Sequence, residues 1–147
     1  MIDAATQALL QDIVRRESRS LLQYLGDSFP WDTMEGREAQ YHLEPLIQED
    51  RRHIEALIRF LTRRRIAIPY LGAYPMAYTN INNISMTSCL PLVKDSLVKS
   101  IAELERDLSR ITDPEARRLV QDILDTKKRY IQQLETSATL EPATAAH

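Results

Sequence analysis

The sequence is poor in the residues that form covalent links or break helices. Of its 147 residues, one is cysteine and three are glycine. With Cys89 alone the chain can form no internal disulfide, and it offers no cysteine spacing for a structural zinc site. Scarce glycine beside abundant Leu, Ile, Arg, Gln and Glu favours helix. We therefore predict an all-α protein.

The chain also lacks a strong charge of either sign and any long apolar run. Nineteen Lys and Arg residues stand against 21 Asp and Glu residues, for a net charge of −2. This balance argues against a dedicated nucleic-acid binder. No apolar run approaches the length of a membrane span, and the N-terminus has no signal-peptide pattern. We expect a cytoplasmic protein without nucleic-acid or membrane partners.

Four amphipathic segments predict four helices, here called A, B, C and D. Gly26 is expected to stop helix A. Asp32 has the character of an N-cap and opens helix B, inside which Pro45 predicts a kink or a break. Pro91 fits helix C only in the first turn. The predicted bounds are about 3–25 for helix A, 32–65 for B, 85–111 for C and 112–135 for D.

The lengths of the connections predict how the helices pack. The A–B and C–D links are short, so each pair should form an antiparallel hairpin. The non-helical segment 66–84 is long enough to run about 40 Å along helix B, so helix C can begin at the opposite end of the bundle. We predict one domain over residues 1–135, a four-helix bundle with one lengthwise crossover, and a disordered tail over 136–147.

Four polar residues fall in the middle of apolar helix stripes, where a plain bundle would have apolar side chains. They are Glu17 on helix A, Asp50 and His53 on helix B, and Lys127 on helix D. Burying such groups is costly unless they pair with one another or hold a metal. The pattern therefore predicts a site in the core.

The order of these residues resembles the ferritin-like superfamily, in particular bacterioferritins and rubrerythrins. A core Glu17 precedes an acid-x-x-His pair, Asp50 and His53, whose members share one helix face because they are three residues apart. The resemblance implies an up-down-down-up bundle, a carboxylate-rich iron or manganese site, and association into homodimers. It covers roughly residues 5–135.

The second half of the chain departs from that family's ligand pattern. Lys127 stands where the resemblance calls for a Glu on helix D, and Tyr130 stands where it calls for a His. On helix C, Leu97 occupies the position of the expected Glu. Half of a two-metal site is missing, and the added cation would repel a second metal. We expect no complete di-iron site.

Three interpretations of the core residues are open. In the first, the helical phases are off by one residue and some of these side chains are surface charges. In the second, the Lys127 ammonium replaces the metal and pairs Glu17 with Asp50, while His53 forms hydrogen bonds nearby. In the third, Glu17, Asp50 and His53 bind one divalent metal ion, which could be iron, manganese or zinc.

The sequence contains no nucleophile triad, phosphate loop or coenzyme fingerprint. It therefore favours a non-catalytic ferritin-like bundle that serves as a scaffold or as an interaction or ligand-binding protein, with no cofactor. The alternative is a single-metal oxidoreductase or metal-binding protein that uses Glu17, Asp50 and His53.

Overall fold

The structure is a computed structural model that describes residues 2–28, 34–83 and 86–145. Over these ranges it is all-helical, as predicted, with five α-helices, one 3-10 helix and no strand. Among the described helices, none has both the length and the apolar character to cross a membrane. The elements are α1 Ala4–Ser18, α2 Leu21–Asp27, α3 Met34–Arg63, the 3-10 helix Met76–Asn83, α4 Met86–Leu108 and α5 Pro114–Ala145.

Predicted helix A is in fact two helices, α1 and α2, which are separated at Arg19 and Ser20. Asp3 caps α1 by accepting a hydrogen bond from the Thr6 amide, and Ser20 caps α2 by accepting one from the Gln23 amide. A serine hydroxyl at an N-cap satisfies an amide that the first helical turn leaves without a partner, so a new helix can begin there. The prediction of one continuous helix is wrong at this point.

Gly26 lies inside α2 and does not end it, contrary to the prediction. A Cβ atom built on Gly26 would lie 2.7 Å from Ile47 Cγ2 of α3, which is closer than real Cβ contacts. The glycine therefore allows α2 to approach α3 closely, and this packing accounts for its place in the sequence.

Both prolines lie inside helices that continue through them, so the break predicted as one alternative at Pro45 is absent, while the kink stays a prediction. Pro45 lies inside α3, which is one helix from Met34 to Arg63. The predicted N-cap of this helix, Asp32, lies outside the described residues. Pro91 lies beyond the first turn of α4. Both Pro91 and Thr87, whose carbonyl loses its helical partner, are exposed, so water can satisfy that carbonyl.

Two further bounds differ from the predicted ones. The segment 66–84, predicted to be non-helical, contains the 3-10 helix. Helix α5 begins at Pro114 as predicted, where the Asp113 carboxylate accepts a hydrogen bond from the Ala116 amide at 3.0 Å. Helix α5 continues to Ala145, so the predicted end near residue 135 is wrong. The sequence has no glycine after Gly72, and therefore no glycine near residue 135 that could end the helix. The disorder of residues 136–147 stays a prediction.

The buried apolar side chains form two clusters, each of which combines one of the two N-terminal helices with α3, α4 and α5. The first cluster joins α1 to the later halves of α3 and α4 and to the first half of α5, and includes Leu10, Ile13, Leu57, Phe60, Leu104 and Ile123. The second cluster joins α2 to the first halves of α3 and α4 and to a later part of α5, and includes Leu22, Leu25, Leu43, Ile47, Val93 and Leu134. The segment after α3 leads from Ile66 in the first cluster to Ile81 in the second.

Candidate functional site

A layer of three buried charges separates the two apolar clusters. Glu17, Asp50 and Lys127 expose 1%, 0% and 1% of their surface. Along α5, Lys127 falls between Leu124 of the first cluster and Tyr130 of the second, and Glu17 has the corresponding place between the residues of α1 and those of α2. Lys127 Nζ lies 3.3 Å from Glu17 Oε2 and 3.1 Å from Asp50 Oδ1. One ammonium thus joins carboxylates from two other helices.

The second oxygen of each carboxylate also has a hydrogen-bond donor. Ser100 Oγ of α4 donates to Glu17 Oε1 at 2.7 Å, and Gln23 Nε2 of α2 donates to Asp50 Oδ2 at 2.9 Å. The side-chain oxygen of Gln23, Oε1, in turn accepts a hydrogen bond from Arg51 Nε at 3.0 Å. Because each carboxylate is bonded on both oxygens, the cost of burying the charges is offset.

The electrostatics of the layer keep Lys127 charged. Burial alone would lower the pKa of Lys127, but the negative charges of Glu17 and Asp50 outweigh burial and hold that pKa above its usual range. The ammonium is therefore protonated at neutral pH. It can act as a structural counter-ion, but it cannot act as a general base there.

Tyr130 is fully buried beside this layer but forms no hydrogen bond with it. Its hydroxyl has no hydrogen-bond partner among the residues that the structure describes. Burial raises the pKa of Tyr130 well above its usual range, and the charge of Asp50 raises it further. The hydroxyl is neutral, and its unsatisfied polar atom costs free energy in the folded state.

Tyr130→Phe is expected to leave the free energy of unfolding unchanged or to raise it by up to about 1 kcal/mol, because the substitution removes an unsatisfied buried hydroxyl. Tyr74→Phe is the matched control, since the Tyr74 hydroxyl donates to Asp27 Oδ2 at 2.6 Å. That variant should lose about 1 kcal/mol. Urea unfolding of both variants measures the difference, and a loss at Tyr130 as large as that at Tyr74 would contradict the expectation.

His53 lies outside the buried layer. Its side chain is 30% exposed, and its Nε2 lies 3.8 Å from Glu49 Oε1 on the same helix. The prediction that His53 occupies the middle of the stripe is wrong, because a residue three positions after Asp50 is rotated by about 60° from it around the helix. Among the described residues, no group of three or more His, Cys, Asp and Glu side chains is arranged to hold a metal ion.

Two further residues contact the layer, Gln23 and Ser100, and the sequence pattern predicts neither of them. Gln23 is not part of the apolar stripe predicted for one continuous helix A, whereas the new start at Ser20 changes the helical phase after it. Ser100 lies next to the apolar stripe of α4, which contains Leu97, Ile101 and Leu104. A small polar residue beside an apolar stripe is common on helices, so a single sequence does not indicate that Ser100 contacts a buried charge. Leu97 itself packs in the second cluster.

No protein-family model, curated protein or solved structure matches this chain. The ferritin-like resemblance therefore rests on the residue pattern of the sequence alone.

Proposed function

We propose that this chain is a ferritin-like four-helix bundle in which the Lys127 ammonium takes the place of the metal, and that it acts as a non-catalytic scaffold or interaction module. The bundle topology is supported by which end of each helix packs in the first cluster and which end packs in the second. The α1–α2 pair and α5 lead from the first cluster to the second, whereas α3 and α4 lead from the second to the first. Together with the segment from Ile66 to Ile81, these directions support an up-down-down-up bundle with one long crossover.

The observation that carries the proposal is the position of Lys127 Nζ within 3.3 Å of both Glu17 and Asp50. In a carboxylate-rich metal site, the positive charge of the metal draws together acidic side chains from different helices. Here the ammonium supplies that attraction. Since Ser100 and Gln23 bind the remaining oxygens, neither carboxylate can ligate a metal without losing an existing partner.

Metal analysis tests this proposal. After aerobic loading with ferrous iron and removal of the excess, the purified chain should retain well under one iron per chain. Glu17→Gln is the matched control, because iron bound weakly at surface carboxylates should be the same in both proteins. Two irons per chain that are lost in Glu17→Gln would overturn the proposal.

One metal ion per chain would also overturn it, provided that Glu17→Gln and His53→Ala each abolish binding. That result would establish the alternative, a single-metal protein. The resemblance also makes a second copy of the chain the first partner to test, by light scattering from the purified protein.

A further inference from the structure

A cleft of about 420 Å³ opens between α1, residues 71–78 and α4, beside the buried charge layer. The buried Glu17 and its hydrogen-bond partner Ser100 both belong to its lining. This volume falls within the range of small-molecule binding sites. The cleft therefore borders the buried charge layer at Glu17 and Ser100.

One wall of the cleft is apolar and is held in place before any ligand binds. Leu71 of this wall packs against the first cluster, and Tyr78 packs against the second. Arg19 Nε donates to the Gly72 carbonyl at 2.7 Å, and the Arg19 guanidinium lies 4.7 Å from the centre of the Tyr74 ring. A wall that is fixed in advance lowers the conformational cost of binding.

The lining of the cleft holds four cationic side chains and three carboxylates, an excess of one cation, and Arg16 also pairs with Asp107, which lies outside the lining. Every carboxylate in its lining already has a cationic partner: Asp12 has Arg15 and Arg16, Glu103 has Arg16, and Glu17 has Lys127. Arg19 and Lys99 also line the cleft, and neither has a carboxylate partner among the described residues. Within the described ranges, the hydrogen bonds of the Arg19 guanidinium go to two backbone carbonyls, those of Gly72 and Ser18.

We propose that this cleft binds a small organic anion, a carboxylate or a phosphate ester that also carries a flat apolar part. The anionic group pairs with Lys99 and Arg19, which have no acid of their own, and the apolar part lies against Leu71 and Tyr78. Neither the ferritin-like resemblance nor the metal content of the protein enters this inference, so its failure and that of the proposed function are distinguishable.

An NMR titration of the ¹⁵N-labelled full chain tests the chemistry, with benzoate and phenyl phosphate as the probes. Both should cause saturable shifts at the amides of Leu71, Tyr78 and Lys99, with dissociation constants on the order of 1 mM. The tighter of the two probes identifies the anionic group. Benzyl alcohol, which has no charge, and inorganic phosphate, which has no apolar part, should each bind more weakly.

Lys99→Gln should weaken the binding of the better probe about fivefold, because it removes one ion pair. Lys128→Gln is the matched control: Lys128 is also an exposed lysine, but it lies on α5 with Glu105 as its partner. That variant should bind as wild type does. Shifts that do not saturate, equal weakening in the two variants, or binding of inorganic phosphate as tight as that of phenyl phosphate would each overturn the proposal.

Discussion

Lys127→Met is expected to lower the free energy of unfolding by about 3–5 kcal/mol. Methionine keeps most of the length and volume of the side chain but removes the ammonium that Glu17 and Asp50 share. Two buried carboxylates are then left without a counter-charge in a region from which water is excluded. Urea unfolding followed by circular dichroism measures the loss.

Lys128→Met controls for the loss of a lysine from the same helix. Lys128 is the next residue of α5, but it is exposed, and its Nζ lies 3.6 Å from Glu105 Oε1. Exposed ion pairs contribute little, so this variant should remain within about 0.5 kcal/mol of wild type. If the two variants unfold at the same urea concentration, ion pairing at Lys127 does not stabilise the layer.

A charge-free layer separates the loss of charge pairing from the loss of packing. The triple variant Glu17→Gln, Asp50→Asn, Lys127→Met keeps amide oxygens that can accept the hydrogen bonds from Ser100 and Gln23. Because no charge is left unpaired, it should regain part of the stability that Lys127→Met loses, less the cost of the buried amide N–H groups that then face a methionine. A triple variant as unstable as the single one would place the loss in the packing around Lys127.

The three charges could be found in the sequence because they obey helical periodicity. Glu17, Asp50 and Lys127 each replace an apolar residue in a stripe, and a stripe follows from local spacing alone. Tyr130, which was singled out by the resemblance and not by local spacing, is also buried on α5. Local spacing overstated His53, whose neighbour at position 50 already occupies the centre of the stripe.

What the sequence could not predict depends on contacts between distant segments. The break at Arg19 and Ser20 is accompanied by the hydrogen bond from Arg19 to the Gly72 carbonyl, more than fifty residues away. Gln23 follows that break and donates a hydrogen bond to Asp50 Oδ2 of α3, so this partner of the layer depends on a contact between distant segments. Similarly, the rule against proline in helices overestimated the effect of Pro91, since the rule takes no account of an exposed position where water replaces the lost hydrogen bond.

Substitutions that restore the missing ferritin-like ligands should destabilise the metal-free protein more than Lys127→Met does, and should enable the core to bind metal. The triple variant Leu97→Glu, Lys127→Glu, Tyr130→His supplies the Glu on α4 and the Glu-x-x-His on α5 that the ferritin-like pattern calls for, and it removes the competing ammonium. Without metal, this variant holds several buried carboxylates with no counter-charge, and it should melt well below wild type. Divalent metal should restore its stability, by about 2.7 kcal/mol at a concentration a hundredfold above the dissociation constant.

Thermal melts with and without Mn²⁺, and the visible spectrum of the Co²⁺ form, measure this gain. Lys127→Glu alone is the control, since it removes the ammonium but supplies only one of the missing ligands. Adding His53→Ala to the triple variant tests whether His53, which now lies 3.8 Å from Glu49 at the rim, contributes a ligand. If the triple variant folds but its melting temperature does not respond to metal, Lys127 does not occupy the position of a metal ligand. The charge layer would then belong to this bundle alone, and the resemblance to ferritin-like proteins would not extend beyond Glu17, Asp50 and His53.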